Sequence, residues 1–288
     1  MRLTLHRTPG AEIRDALLVR LDRFNDEATG RAEPVRHLSI VLRNGAGAVE
    51  GGLVGISYYD WLIVEMLFVP PGLRGHGLGT RLMRAAEAVA VRRGCRGVWL
   101  DTASPAARAF YVRLGYAVFA TLPDHPRGHA RRWMARTPPR DGEAGGLEIM
   151  AARDPAVVGM IGRALNAEAD TLFGPDTTRA DLAITAEDAA GANQGGLWML
   201  VRRGWLFLDM LVLAPGARRG GTGRRILTMA EDEARARGCA GVWLDTFGFQ
   251  APEFYRRQGY RAFGALADYP APHGRHWFRT PVQSEGDA

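Results

Sequence analysis

Apolar residues along the first half of the chain fall into two alternating rhythms. Ile13, Leu17, Leu21 and Phe24 recur three or four positions apart, which places them on one face of a helix. Residues 2–6 and the runs "HLSIVLR", "GGLVGISYY" and "WLIVEMLFV" are short and rich in β-branched and aromatic residues. They are bounded by "NGAG" and by a turn at Asp60, and they predict strands. A glycine-rich loop then leads into a helix from about Gly79 to Arg93, with Leu82, Met83, Ala86 and Val89 on one face. "GVWLD" follows as a strand, "SPAARAFYVRL" as a helix, and "YAVFATL" and "ARRWMA" as a closing pair of strands. The second half gives the same order, with Val157, Val158, Ile161 and Leu165 on its first helix, so the chain reads as α/β throughout.

The agreement between halves extends to the letters. "GCRGVWLDT" at 94–102 returns as "GCAGVWLDT" at 238–246, and the register holds without a gap from Leu38–Arg136 against Leu182–Thr280. A period this long is a duplicated domain, because solenoid repeats are far shorter. "TPPRDGEAGG", rich in Pro, Gly and charge, separates the copies. The expected organisation is a first domain over 1–137, a linker at 138–146, a second domain over 147–281 and a disordered tail at 282–288. With 288 residues, each copy is a domain of ordinary size.

Composition narrows the picture only a little. The formal charge is +6, yet all 37 basic residues are Arg and none is Lys, a bias of composition rather than a set of functional choices. The arginines are scattered and lack the aromatic interleaving of a single-strand platform, so no nucleic-acid partner is expected. No apolar run approaches the roughly 18 residues a spanning helix needs, and the expectation is a cytoplasmic protein without a membrane partner. Cys95 and Cys239 occupy the same place in the two copies and read as small buried hydrophobes rather than as a disulfide or reactive thiols. No metal site is expected.

Two motifs carry chemistry. Residues 74–79 read R-G-H-G-L-G and residues 218–223 read R-R-G-G-T-G, each between a strand and a helix. Glycines there let successive backbone N–H groups turn toward one point, and the helix N-terminus adds partial positive charge, which together suit a pyrophosphate. A tight turn with no ligand would read the same from six residues. Neither loop is a nucleotide-triphosphate P-loop or a dinucleotide fingerprint. The second motif is F-Y-x-x-x-G-Y on the helix after the "GVWLD" strand, at 110–116 and 254–260.

In this order the two motifs resemble the GNAT superfamily of N-acetyltransferases, most strongly over 51–136 and 195–280. The resemblance implies two tandem GNAT domains, each a mixed, mostly antiparallel sheet flanked by helices. It implies acetyl-CoA, or another acyl-CoA, with its pyrophosphate on Arg74, Gly75, His76, Gly77, Leu78, Gly79 and Thr80. The corresponding set in the second copy is Arg218, Arg219, Gly220, Gly221, Thr222, Gly223 and Arg224. The pantetheine arm would lie in the splay between strands ending at Val69 and Asp101, and at Leu213 and Asp245. Where family members often carry an Asn that contacts this arm, Ser104 and Gly248 stand.

Acyl transfer to an amine needs a base for an ammonium of pKa near 10.4 and an acid for the departing thiolate. Tyr111 and Tyr255 match the family tyrosine near the thioester sulfur, although each could equally be half of a buried aromatic pair. Glu65 and Asp209 are carboxylates in otherwise apolar strands, which marks either a cleft-facing base or a paired structural acid. Asp101 and Asp245 are alternative bases or anchors for the substrate amine. By the same resemblance, backbone N–H groups near Phe68–Pro70 and Val212–Ala214 are candidate donors to the tetrahedral oxyanion. His129 and His273, in a shared D-x-P-x-x-H pattern, could orient the substrate, accept its proton or cap a turn.

The expected activity is transfer of acetyl from acetyl-CoA to a primary amine of a small molecule by direct attack, in a pseudo-dimeric monomer or a homodimer. The alternatives are a mycothiol-synthase-like tandem enzyme and an acyl-CoA-binding regulatory or scaffold protein with one or both sites inactive.

Overall fold

The computed structural model describes residues 1–138 and 147–282. The first copy contributes strands β1 (Arg2–His6), β2 (Arg36–Arg43), β3 (Val49–Tyr58), β4 (Trp61–Phe68), β5 (Gly97–Thr102), β6 (Ala117–Pro123) and β7 (Ala130–Arg136). Its helices are α1 (Ala11–Thr29), α2 (Leu78–Arg92) and α3 (Pro105–Arg113). The second copy contributes β8 (Glu148–Met150), β9 (Ala180–Glu187), β10 (Asn193–Arg202), β11 (Trp205–Leu213), β12 (Gly241–Phe247), β13 (Arg261–Leu266) and β14 (Arg275–Pro281). Helices α4 (Pro155–Phe173), α5 (Thr222–Ala236) and α6 (Pro252–Arg257) complete it. The turn expected at Asp60 is a two-residue hairpin with φ of 48° at Tyr59 and 61° at Asp60, a geometry whose twist matches the flanking strands.

The chain folds as two compact units, named here for their place in the sequence. The central unit comprises 33–121 and 131–175, and the terminal unit comprises 1–32, 122–130 and 176–288. The central sheet runs β6-β7-β5-β4-β3-β2-β8 and the terminal sheet β1-β9-β10-β11-β12-β14-β13. Both are mostly antiparallel, with β4 and β5 parallel in one and β11 and β12 parallel in the other. On one face of the central sheet, Leu82, Met83, Ala86 and Val89 of α2 are buried against Leu53, Leu62, Val64 and Leu100. On the other, Val157 and Ile161 of α4 pack on Val41, Val54 and Phe68. The terminal sheet repeats this, with Ile226, Leu227 and Ala230 of α5 on one face and Leu17 of α1 against Trp198, Met210 and Val212 on the other. Each such Leu, Ile or Val contributes about 1.5–3 kcal/mol by leaving water.

The units do not follow the repeat boundaries, which corrects the expected division into 1–137 and 147–281. Strand β1 pairs with β9 of the other copy, Leu3 opposite Ala186 and Leu5 opposite Ile184. Strand β8 pairs with β2, with Ile149 opposite Ile40. Helices α1 and α4 go with their strands. Segment 122–130, the connection between β6 and β7, also belongs to the terminal unit, where the Trp205 indole N–H donates to the Asp124 carbonyl at 2.8 Å. The physical reason is that the repeat makes β2 and β9 near-equivalent edges, so the apolar alternation of β1 or β8 suits either one. Specific pairs then hold the exchange. Arg7, just after β1, donates to the 5%-exposed Glu233 of α5 at 2.8 and 3.1 Å, and Arg43 of β2 donates to Glu148 of β8 at 2.7 and 3.1 Å. Of the expected linker only Pro138 is described; the rest of it, and the tail beyond Val282, lie outside the described residues.

Each unit is thus built from both sides of the linker. A protease cut confined to 139–146 should leave two fragments that co-elute on size exclusion under native conditions and separate only in denaturant. Separation in native buffer would show that the exchange is absent in solution.

Candidate functional site

The site in each unit begins as a fault in the sheet. On the β3 side, Val54 faces Met66 and Gly55 faces Val64, so Glu65 is an extra residue in β4. In the terminal unit, Trp198 faces Met210 and Met199 faces Leu208, which makes Asp209 the extra residue of β11. Such a bulge bends its strand and increases local twist. On the other side, the parallel pairing stops at the same point, after Val64–Leu100 and after Leu208–Leu244. Beyond it β4 and β5, and β11 and β12, diverge into a fork with a carboxylate at its root. The divergence of these strands therefore has a structural cause at Glu65 and Asp209.

At the open end of the fork the glycine-rich loop turns into a helix. Gly77 and Gly221 sit at the helix start with φ of 76° and 80°, a left-handed conformation that favours glycine. Gly79 and Gly223 serve packing instead: a Cβ there would come within 3.2 Å of the Phe110 or Phe254 ring. The first helical bonds run from Arg81 to Gly77 and from Arg225 to Gly221, so the N–H groups of Leu78, Gly79 and Thr80, and of Thr222, Gly223 and Arg224, precede the ladder. A Cβ added at Gly75, Gly77, Gly220 or Gly221 would meet nothing within 4 Å, so the cradle is open on that side, as an anion would require.

The leading arginines have another task. Arg74 Nε donates to the Val69 carbonyl at 2.8 Å and its backbone N–H to Pro71; Arg218 does the same with Leu213 and Pro215. Both staple the loop to the end of the preceding strand, with side chain and amide committed, rather than presenting donors to a phosphate. The outer face of each guanidinium differs: Arg74 pairs with Glu168 of α4, whereas Arg218 lies 4.9 Å over the Phe24 ring of α1.

Tyr111 and Tyr255 project from α3 and α6 into the cores and are 7% exposed. Their hydroxyls make no hydrogen bond among the described residues. Burial, and then the charge of Asp101 or Asp245, pushes each phenol well above its ordinary pKa, so both remain protonated donors at neutral pH. Asp101 and Asp245 are each paired with an arginine. Arg131 Nε donates to Asp101 at 2.6 Å, and Arg275 holds Asp245 with contacts of 2.6 and 2.5 Å while also donating to the Tyr269 hydroxyl at 3.1 Å. The Arg275 guanidinium lies over Phe247, Tyr269 and Trp277 as well, which fixes its plane.

The two bulge carboxylates have different surroundings. Glu65 is exposed and ion-paired with Arg153, which lies between β8 and α4. Asp209 is half-buried and makes no hydrogen bond or ion pair among the described residues. Burial first, with Asp245 adding to it against Arg14 and Arg275, raises its carboxyl to about 6. The copy offset explains the contrast: where β8 leads to α4 through Arg153, β1 leads to α1 through Pro9.

Several expected site residues stand elsewhere or do something else. Ser104 caps α3, its hydroxyl accepting from Ala107 N–H at 3.3 Å. His129 lies on segment 122–130 and so belongs to the terminal unit, not with Glu65 and Tyr111; its backbone closes the turn with Pro126 and His125. His273 is half-buried, its ring edge-on to Phe249 at 5.5 Å. The Ala214 N–H is spent on the Gln194 carbonyl at 2.8 Å, and Pro70 and Pro215 have none, which leaves the amides of Phe68 and Val69, and of Val212 and Leu213, as oxyanion candidates. Burial pushes both cysteine thiols up to about 11 and leaves them unreactive at neutral pH. Sequence reasoning missed Arg153 and the pair formed by Gln250 and Asn25 of α1. The Gln250 amide donates to Asn25 at 2.8 Å and its oxygen accepts from Phe247 N–H at 2.9 Å, which ties α1 to the end of β12.

Residues 11–116 and 120–260 match the family described as Acetyltransferase (GNAT) family. An acetyltransferase of Agrobacterium fabrum is 35% identical over 136 residues, covering 47% of this chain and 98% of its own length. Blasticidin-S acetyltransferase of Streptomyces morookaense is 37% identical over 123 residues, covering 38% of this chain and 90% of its own. Among solved structures, an acetyltransferase from Bacillus cereus aligns at 25% identity with a TM-score of 0.43, over 46% of this chain and 96% of that one. Each is thus the length of about half of this chain. No helix of the described residues is long and apolar enough to cross a membrane.

The raised carboxyl of Asp209 has a stability consequence with a definite sign. The folded state holds this proton up to pH of about 6, and the unfolded chain releases it near 4, so the residue lowers stability as pH rises through that window. Asp209→Asn should therefore gain on the order of 1–3 kcal/mol over wild type at pH 8, and little at pH 4, in thermal unfolding. An equal shift at both pH values would contradict the raised carboxyl of Asp209.

Proposed function

The chain belongs to the GNAT acetyltransferase family and is an acyltransferase, and on that basis we propose that its terminal unit transfers acetyl from acetyl-CoA to a primary amine of a small molecule by direct attack. The observation that carries this reading is Asp209: a carboxylate at the root of the fork, without a partner among the described residues, titrating near 6. A base of this pKa is mostly ionised at neutrality and can take a proton from an arriving ammonium directly or through one water. The amides of Gly220, Gly221, Thr222, Gly223 and Arg224 receive the pyrophosphate, with Arg218 and Leu213 shaping the loop behind them. The equivalent cradle in the central unit is Gly75 to Thr80, with Arg74 and Val69 behind. The coenzyme supplies the activated acetyl group.

The protons balance around two side chains. The attacking nitrogen loses two; Asp209 passes one to solution, and Tyr255 gives its own proton to the departing sulfur and is restored by the other. Tyr255 is suited to this because its pKa is raised, which keeps it protonated, and because its hydroxyl is not engaged elsewhere among the described residues. Arg275 holds Asp245 in place, so that Asp245 acts on Asp209 by its field and not as a second base. Similarity to blasticidin-S acetyltransferase supports a small-molecule acceptor.

Acetyl-CoA at 100 times its dissociation constant should stabilise the protein by about 2.7 kcal/mol. With an amine acceptor that lacks a carboxylate, Asp209→Asn and Tyr255→Phe should each lower kcat by roughly 10² or more with acetyl-CoA affinity unchanged, and Tyr111→Phe should have little effect. Thiol release measures the turnover. Because the Tyr255 hydroxyl bonds to nothing described, the Phe variant should keep its melting temperature. Full turnover in a Tyr111→Phe, Tyr255→Phe double variant would return both tyrosines to the helix cores.

A further inference from the structure

The reading above leaves the central fork unexplained. Its loop, its tyrosine and its Asp101–Arg131 pair repeat those of the terminal unit, but its bulge carboxylate is held by a cation that the terminal unit lacks. Arg153 meets Glu65 through one guanidinium nitrogen, and both side chains remain partly open to solvent, at 39% and 29%. A guanidinium has five N–H donors in a fixed fork suited to carboxylate, so a single contact leaves donors over. An exposed pair of this kind contributes little to stability, which makes exchange of its anionic partner easy.

We propose that the central unit takes a different class of acceptor, an amine that carries its own carboxylate, with Arg153 as the residue that recognises it. The proposal rests on the acetyl-transfer reading of the fork. The acceptor's carboxylate docks on Arg153 and displaces Glu65, and the released Glu65 faces the acceptor's ammonium. A plain amine gains nothing there, because its positive charge meets Arg153 while Glu65 is still paired. The terminal unit shows the complementary choice within the same chain: Pro9 stands at the position of Arg153, and Asp209 has no guanidinium in direct contact among the described residues, Arg14 and Arg275 reaching it only by their field. The substitution that separates the two classes lies on the exchanged strand-helix segment, the part of each copy with the greatest divergence.

The test is binding rather than turnover, so it can fail without the acetyl-transfer reading failing. The full chain, saturated with coenzyme A, is titrated with a panel of amino acids and with the decarboxylated amine of each. At least one amino acid should bind about tenfold or more tightly than its amine. Arg153→Gln, which keeps the stem and removes the charge, should bring that ratio to about one; Arg153→Pro, which copies the terminal unit, should do the same. Melting temperature and the coenzyme A thermal shift report whether each variant is folded, and if one is not, the other decides. A panel without preference for the carboxylate, or a preference that persists in the folded Arg153 variants, overturns the proposal. Absence of turnover with every amine would instead count against the transfer reading alone.

Discussion

Where β4 takes up one residue more than β3 opposite it, at Glu65, its parallel pairing with β5 ends, and the same happens at Asp209 between β11 and β12. The remaining features of each site depend on this insertion. A strand with a bulge must bend, and a bent strand cannot stay within about 5 Å of a straight parallel neighbour, so a fork opens without any residue being devoted to opening it. The extra residue is also the one whose side chain lies at the root of that fork, which gives a carboxylate in an apolar strand somewhere to point. Glycine-rich loop, helix N-terminus and tyrosine are then arranged along the two diverging edges.

Much of this was legible in the residues. The repeat, the order of elements and the loop between strand and helix all follow from local pattern, because helix and strand periods and glycine placement are local properties. The acid at 65 and 209 was visible as an anomaly, but its consequence was not: whether a carboxylate is paired depends on what faces it, and Arg153 is 88 residues from Glu65. Arg74 and Arg218 were read as phosphate ligands because of where they stand in the motif; only coordinates show both their side chains and their amides turned back onto the strand ends. Ser104 was read as a contact to the coenzyme arm and is a helix cap. The exchange of β1 and β8 was the least legible feature, since two near-identical edges give the sequence no means of naming the partner.

Repetition at a fixed offset gives the two sites an internal comparison. Pro9 against Arg153, Phe24 against Glu168 and Asn25 against Ala169 are all on the exchanged segments, and each changes what meets the fork or its loop. In the cradle the leading arginine and the two structural glycines are kept, Arg74 with Arg218, Gly77 with Gly221 and Gly79 with Gly223. The segments that vary are those that each unit receives from the other copy, so a substitution in the first 32 residues alters the terminal site and one in 147–175 alters the central site.

Strand β1 also has to wait. Arg2 meets Glu187 across 185 positions, about four times the distance to β2 in its own copy, and that longer loop adds only about 1 kcal/mol of closure entropy. The larger effect is on timing. At about 5–20 residues per second, roughly 10–40 s of synthesis separate β1 from β9. In that interval the one complementary edge already made is β2, and β8, its eventual neighbour, comes off the ribosome later. A chain made from its N-terminus therefore has the unexchanged edge within reach first, and any β1 that pairs there must be displaced by β8 before it can reach β9.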